Sequence, residues 1–565
     1  MPRHANLAEA LRERARDGGA GTVALAHPDG NGGERRISYA ELDARAGAVA
    51  AWLRGRDAAG RRVLVVMDPG PHIAAALLGC LYAGAVAVPV PAPTASRTAA
   101  ERTAAIARDA TVDLVLTETA HASEISRRLS LVGRADLTCL PVDRLPPDHA
   151  AHVDHAADRA AGHAVARAAD GPAPPARTGR DSLALLAYDS GPATAPRGAR
   201  LTHGNLLAAM HSLRATLGTG PRSRIGGWLP RRHTPGLIGQ VLHPLWLGAT
   251  AVPLPPRPFR TDPAAWLRAI SRHGITETVA PDTHFARCAA LTADEQPAGL
   301  DLSRWRTALN AGEPVSPVTM AAFARRYTAA GLRPGTLVAG YAPAEGAPLL
   351  IAEGRAPVSG AEFGVVDPLT CRPLPEGAAG EIWARGAAIA TGHWGRPLDT
   401  APRFAARSAD GPGGFLRTGD LGLAADGGIH MTGRVHDGLL VDGITLHPQD
   451  VERELLGCGR ALGSARVFCA GPGAGPLIVV QEVRTASAAR TGLPRLAARI
   501  RARVAEEFGV TTGAVLLVRP GTVRRDGAVK VRRGVLREWY LRGELRALHA
   551  EYAPGPTEPC RGGAA

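Results

Sequence analysis

The stretch from Arg62 to Val90 constrains the fold more than any other part of the chain. Residues 62–67 read Arg-Val-Leu-Val-Val-Met, a short β-branched run with the composition of a buried strand. From Ile73 to Val90 there is no charged residue. That run has nearly the length of a bilayer span. Gly79, Gly84 and Pro89 interrupt it, however, and alanine dominates it, so it predicts a buried helix followed by a buried strand over Ala85 to Val90. A strand, a helix and a strand in succession imply a parallel sheet. Upstream, Ser38 with Glu41 three residues later is a capping-box signature and predicts a helix running to Leu53. The strand rhythm recurs at Leu114–Leu116, Thr250–Leu254, Thr276–Val279 and Thr336–Val338, which predicts a doubly wound α/β domain of mixed sheets.

The pattern changes twice further on. From Gly360 to Gly433 short strands alternate with turns, at Phe363–Val366, Gly380–Trp383 and Ile429–Thr432, which predicts a β-rich subdomain. After Asp437 come a strand at Leu439–Val441, a helix at Pro448–Leu456, strands at Leu477–Val483 and Val515–Val518, and a terminal helix at Val531–Leu548. The expectation is a large N-terminal domain over residues 1–436, a small mobile α+β domain over 437–548, and a frayed tail over 549–565. Residues 142–180, rich in Ala, Pro, His and Asp, read as a surface connection.

Composition narrows the function. The 565 residues are 45% hydrophobic and 21% charged, which is ordinary for globular proteins. The formal net charge of +14 favours acidic partners such as nucleic acid, an anionic membrane or an acidic carrier protein. The arginines are spread without a block or a nucleic-acid motif, so no nucleic-acid partner is expected. Seven scattered cysteines form no C-x-x-C pair, and the N-terminus lacks a signal-peptide apolar region. A cytoplasmic protein without stable membrane insertion is expected. The chain has one lysine, Lys530, against 65 arginines. A chain that uses arginine wherever positive charge suffices has kept lysine at a single place. A compact ammonium there does what a planar guanidinium does not.

Four segments carry candidate chemistry. Residues 183–205 run from an apolar strand into a small-residue loop and then a helix cap at Thr202 or His203, an arrangement that can wrap phosphates with backbone N–H groups. Residues 227–240 place His233 in a loop before a Gly-rich helix start. The stretches 309–315 and 338–345 put Asn310, Glu313, Tyr341 and Glu345 just beyond apolar strands, where open α/β sheets bind ligands. Residues 415–422 place Asp420 on what reads as a tight turn, suited to two ribose hydroxyls, with Arg434 following. Taken singly, each segment is also what an ordinary turn or loop end looks like.

In order and spacing these segments resemble the adenylate-forming superfamily, which converts a carboxylic acid and ATP into an acyl-AMP. Residues 79–89, 228–239, 310–315, 380–383, 417–421 and 447–450 are most similar to the fatty acyl-AMP ligases. The resemblance covers roughly residues 35 to 545. It implies that Asp420 holds the ribose, with Arg434 on ribose or phosphate, Tyr341 against adenine, and Glu345 as the Mg²⁺ ligand. It implies nucleotide contacts from Ser190, Gly191, Arg197, Gly198, Asn310 and Glu313, and a catalytic place for His233. Asp437 falls at the hinge. Lys530 matches the lysine that bridges the substrate carboxylate and the α-phosphate. The cofactors implied are ATP and Mg²⁺, and the partners a fatty acid and an acyl carrier protein.

The phosphate loop departs from the superfamily pattern. Asp189, Pro192, Ala193, Thr194 and Arg197 replace Thr, Ser, Thr, Gly and Lys, while Ser190, Gly191, Pro196 and Gly198 remain. Hydroxyl donors are lost, and Asp189 adds a charge that repels a triphosphate. Ala342 and Val529 replace motif glycines, and the stretch from Glu345 to Val365 is short for the fatty acyl-AMP ligase branch. Three readings follow. One is an acyl-AMP ligase that loads a carrier-protein thiol. The second is the same scaffold with an unusual acid or an amine or coenzyme A acceptor. The third is a non-catalytic binding homologue.

Overall fold

The computed structural model describes residues 4–553 apart from 18–20, 29–32, 69, 94–96, 132, 146–177, 191–195, 230–233, 256–261, 292–293, 296, 312–314, 344, 347–350, 353–360, 410, 426, 435–438, 442–443, 447, 460, 471–475, 485–491, 509, 526–528 and 531–532. Most of the expected connection at 142–180, the hinge residue Asp437 and the last residues of the tail lie outside the described residues. The chain divides into two compact units. One is Met1–Thr418 with Gly422–Met431, the other Gly419–Leu421 with Thr432–Ala565.

The larger unit holds two open sheets. The strand Arg62–Met67 forms where the β-branched run predicts it, and Pro71–Ala83 is the buried helix that follows. Val86–Pro91 then returns parallel to the first strand, from Arg62↔Val86 to Met67↔Pro91. This pair centres a six-stranded sheet in the order Thr138–Pro141, Leu114–Thr117, Arg62–Met67, Val86–Pro91, Leu183–Ser190, Arg197–Thr202. Only its last strand is antiparallel. Among the described residues no helix is long and apolar enough to cross a membrane.

The second sheet has eight strands, in the order Ile351–Ala352, Leu337–Tyr341, Thr307–Asn310, Glu277–Ala280, Arg224–Gly227, Thr250–Pro253, Val23–Pro28, Glu34–Ser38. Its interior is parallel and its two edge strands are antiparallel. The helix Tyr39–Arg54 starts at Ser38, whose side chain accepts from the Glu41 N–H as the capping signature requires. A four-stranded sheet runs Glu362–Val366, Ala379–Arg385, Leu416–Ala425, Gly428–Arg434. Doubly wound mixed sheets plus a β-rich portion are therefore the observed architecture.

The smaller unit is α+β. Its four-stranded sheet is ordered Leu462–Cys469, Leu477–Val483, Thr512–Val518, Ala547–Tyr552, and the helices Pro448–Gly457, Leu493–Phe508 and Arg533–Leu541 belong to the same unit. Here one expectation is corrected. The terminal helix does not extend to Leu548; it stops at Leu541. Gly543 takes φ +69, and its N–H bonds the Tyr540 carbonyl while the Glu544 N–H bonds that of Trp539. A left-handed glycine just past the last turn closes a helix in this way. The chain then becomes the edge strand Ala547–Tyr552, antiparallel to Thr512–Val518 and reaching into the stretch expected to be tail.

A second correction concerns Asp420. Thr-Gly-Asp reads as a turn, yet Leu416–Ala425 is one continuous ten-residue strand. Leu416, Thr418, Asp420 and Gly422 alternate onto its buried face.

Candidate functional site

Ligand sites of open α/β sheets lie beyond the carboxyl ends of the strands, and in the larger unit two candidate residues end neighbouring parallel strands. Asn310 ends the strand Thr307–Asn310, and Tyr341 ends the neighbouring Leu337–Tyr341, both fully buried. The Asn310 amide donates to Asp282 Oδ1 at 2.9 Å and contacts Met320 Sδ at 3.4 Å. Asp282 also accepts from the Ser316 N–H at 3.0 Å and from Thr319 Oγ1 at 3.3 Å. One carboxylate thus fixes both the strand end and the entry to the next helix, Pro317–Tyr327. Beside these strand ends lies a small cleft, lined by Val315, Ala339, Gly340 and residues Gly428 to Met431.

The expected phosphate loop is flanked by two antiparallel strands. Leu183–Ser190 and Arg197–Thr202 pair antiparallel, from Leu183↔Thr202 to Ser190↔Arg197. Gly191 and the substituted residues Pro192, Ala193 and Thr194 lie outside the described residues. Gly198 has a packing reason to be glycine. A Cβ there would sit 2.5 Å from Cζ of Tyr188. The Tyr188 hydroxyl donates to Asp109 Oδ2 at 2.7 Å, and Arg396 donates to Asp109 Oδ1 at 3.0 Å. Burial, reinforced by that aspartate, pushes the Tyr188 hydroxyl pKa well up. The hairpin runs into the helix His203–Leu217 through a capping box of Thr202 and Asn205. Asn205 Nδ2 also donates to the carbonyls of Ala387 and Ile389, each at 2.8 Å.

Glu345 is 3% exposed, and its carboxylate meets Arg403 Nη2 at 2.8 Å. The same Arg403 nitrogen donates to the Thr418 carbonyl at 3.2 Å. Thr418 belongs to the segment Arg417-Thr-Gly-Asp420. Arg417 donates through Nε and Nη2 to Glu381 Oε2, at 2.9 and 2.7 Å, and Trp383 Nε1 donates to the same oxygen at 3.0 Å. The stretches 380–383 and 417–421, far apart in sequence, are therefore held together by the Arg417–Glu381 ion pair.

His233 and Glu313 lie outside the described residues. Ser190, Arg434 and Lys530 are described only as strand-end positions, Lys530 pairing with Arg524 across a two-stranded ribbon. Asp420 is buried on its strand in the smaller unit, and Arg197 opens the second hairpin strand. The structure thus brings together Asn310 and Tyr341 in one sheet, and Glu345 with the segment leading to Asp420.

Sequence reasoning missed Arg403, Glu381 and Asp282. Glu381 sits inside the stretch 380–383, so its position is visible in the sequence and its role is not. Among 65 arginines, nothing in the sequence marks Arg403.

This geometry can be set beside known proteins. The family described as AMP-binding enzyme matches residues 11–394. The medium-chain-fatty-acid–[acyl-carrier-protein] ligase JamA of Moorena producens is 30% identical, the alignment covering 90% of this chain and 90% of that one. The long-chain-fatty-acid–AMP ligase FadD23 of Mycobacterium tuberculosis is 28% identical, over 95% of this chain and 96% of that one. Among solved structures, a fatty acid AMP ligase from Legionella pneumophila superposes with a TM-score of 0.70 at 25% identity, covering 97% of this chain and 98% of that one. The matched family region spans both open sheets and the hairpin, and the full-length relatives extend the likeness through the smaller unit. The chain belongs to the AMP-binding enzyme family, in the company of the fatty acyl-AMP ligases.

Proposed function

We propose that the protein activates a fatty acid with ATP as acyl-AMP and passes the acyl group to the phosphopantetheine thiol of an acyl carrier protein. The observation that carries this reading is Lys530. The only lysine of an arginine-rich chain stands at the one C-terminal position where the family resemblance asks for a lysine. Support also comes from the relatives named for fatty acids and for a carrier protein, and from the positive charge, which suits an acidic carrier.

In the first step an oxygen of the fatty carboxylate attacks the α-phosphorus, and pyrophosphate leaves. Such reactions are driven by positioning and charge stabilisation. Lys530 would contact the attacking carboxylate and the α-phosphate together. Asp420 would hold the ribose, and Tyr341 and Asn310 would border the adenine. Glu345 offers the hard carboxylate oxygen that magnesium prefers, and the ion would neutralise phosphate charge. In the second step the carrier thiolate attacks the acyl carbonyl carbon, AMP leaves, and the thiol proton goes to solvent.

The test is calorimetric titration of Mg·ATP into the wild type and Asp420→Ala, followed by pyrophosphate exchange across a fatty-acid series. Micromolar binding lost in Asp420→Ala is expected, with exchange abolished in Lys530→Ala while its circular dichroism is unchanged. Undiminished exchange in Lys530→Ala would refute the lysine's role. No binding at millimolar ATP would replace ligase chemistry with a binding role.

A further inference from the structure

The ion pair at Glu345 has a consequence for how metal is used. It rests on the reading just given, in which Glu345 takes the phosphate-bound divalent cation. Glu345 is 3% exposed, and a buried charge needs a counter-ion. Arg403 supplies that counter-ion. Its guanidinium cannot give up its charge, and it reaches Glu345 Oε1 at 2.8 Å from the helix Pro397–Phe404. The arginine is anchored twice. Its own Nη2 also donates to the Thr418 carbonyl, and the next residue, Phe404, packs edge-on against His393 with ring centres 5.0 Å apart. His393 in turn bridges Ala199 on the hairpin strand. Arg403 is therefore built into the site, and at 27% exposure it retains room to move.

We propose that Arg403 is a positioning residue that stands in for the divalent cation. Without nucleotide it neutralises Glu345 and keeps the carboxylate aimed. When the metal–polyphosphate arrives, cation and guanidinium compete for the same carboxylate, and Arg403 releases it and turns to the anionic phosphates. The protein thereby binds nucleotide with a smaller contribution from metal than a bare buried carboxylate would give.

Calorimetry with a non-hydrolysable ATP analogue tests this without turnover. The analogue is titrated once with Mn²⁺ and once with EDTA, and the ratio of the two constants is the metal's contribution. Removing one positive charge in contact with the metal's ligand should raise that ratio about tenfold in Arg403→Gln. Arg403→Lys should stay within about twofold of the wild type, because it keeps the charge. Glu345→Gln should collapse the ratio. An unchanged or lowered ratio in a folded Arg403→Gln would overturn the proposal.

A crystal of the wild type with Mn²⁺ and the analogue gives a second test that needs no variant. Arg403 is expected to have left Glu345 for the phosphates, and an intact 2.8 Å contact would overturn the proposal. If the wild type binds the analogue under neither condition, the nucleotide reading fails first and takes this one with it. If it binds in both and the ratio ignores Arg403, only this proposal fails.

Discussion

Arg417 lies within a stretch that resembles a nucleotide-binding motif, yet its own contacts are structural. It donates twice to Glu381, which is 3% exposed, and lies over the ring of Trp383 with 5.5 Å to the centroid. Removing the arginine leaves a buried carboxylate without its cation. Arg417→Ala should therefore destabilise the larger unit by on the order of 3 kcal/mol, and Glu381→Gln by less, since the amide keeps the size and remains hydrogen-bonding. Urea unfolding followed by tryptophan fluorescence checks both, and equal small losses would sink the assignment. Gly198 invites the same analysis. An added methyl meets the Tyr188 ring, whose hydroxyl is tied to Asp109, so the ring cannot yield cheaply. Gly198→Ala should cost about 1–3 kcal/mol, and the double variant with Tyr188→Ala should remove that increment. A Gly198 variant as stable as the wild type would leave only a nucleotide role for this glycine.

At the scale of elements, the sequence is legible where structure is local. The β-branched run at Arg62–Met67 and the charge-free run after it form the predicted strand, helix and strand because periodicity and burial agree. Ser38 and Thr202 cap helices through their own side chains, which needs no distant partner. Legibility ends where a long-range partner decides. The helical pattern continues to Leu548 on paper, but Gly543 breaks the helix and the edge of Thr512–Val518 offers an unpaired ladder. Thr418-Gly-Asp420 reads as a turn because one of the strands that make it part of a sheet is distant in sequence, Thr418 Oγ1 donating to the Ile382 carbonyl 36 positions away. The Glu345–Arg403 pair spans 58 positions and no spacing rule reaches it. The corrected strand is testable. Ending the chain after Leu545 should strip the ladder from Thr512–Val518 and expose the cluster of Phe468, Leu516, Leu536 and Tyr540. Amide exchange in residues 512–518 should then accelerate by orders of magnitude while the larger unit keeps its protection. Unaltered exchange there would mean that the strand is dispensable.

The whole molecule has two compact units, and acid should act on the larger one through buried histidines. His203, His243 and His284 are all buried there, and burial lowers their pKa values to about 4, about 3 and about 3. His243 is bonded to Thr219 Oγ1 at 2.9 Å, and His284 lies between the rings of Trp228 and Trp266, centroids 4.8 and 5.0 Å away. In the unfolded chain each histidine titrates near its ordinary value of about 6.5. Between that value and the folded ones the unfolded state binds more protons, so stability is full above about pH 6.5 and falls as the pH drops. Each histidine contributes a slope of up to about 1.4 kcal/mol per pH unit in that window. Carboxylates held low by ion pairs enter only below their own unfolded values near 4. The midpoint of unfolding of the larger unit should accordingly fall between pH 6.5 and 4.5, before the carboxylates contribute. His284→Phe keeps an aromatic ring among the two tryptophans and removes one titrating group. Its stability should depend less steeply on pH by close to one proton over the same window, measured by urea titration at half-unit steps. An identical slope in the variant would show that His284 is not carried neutral into the fold.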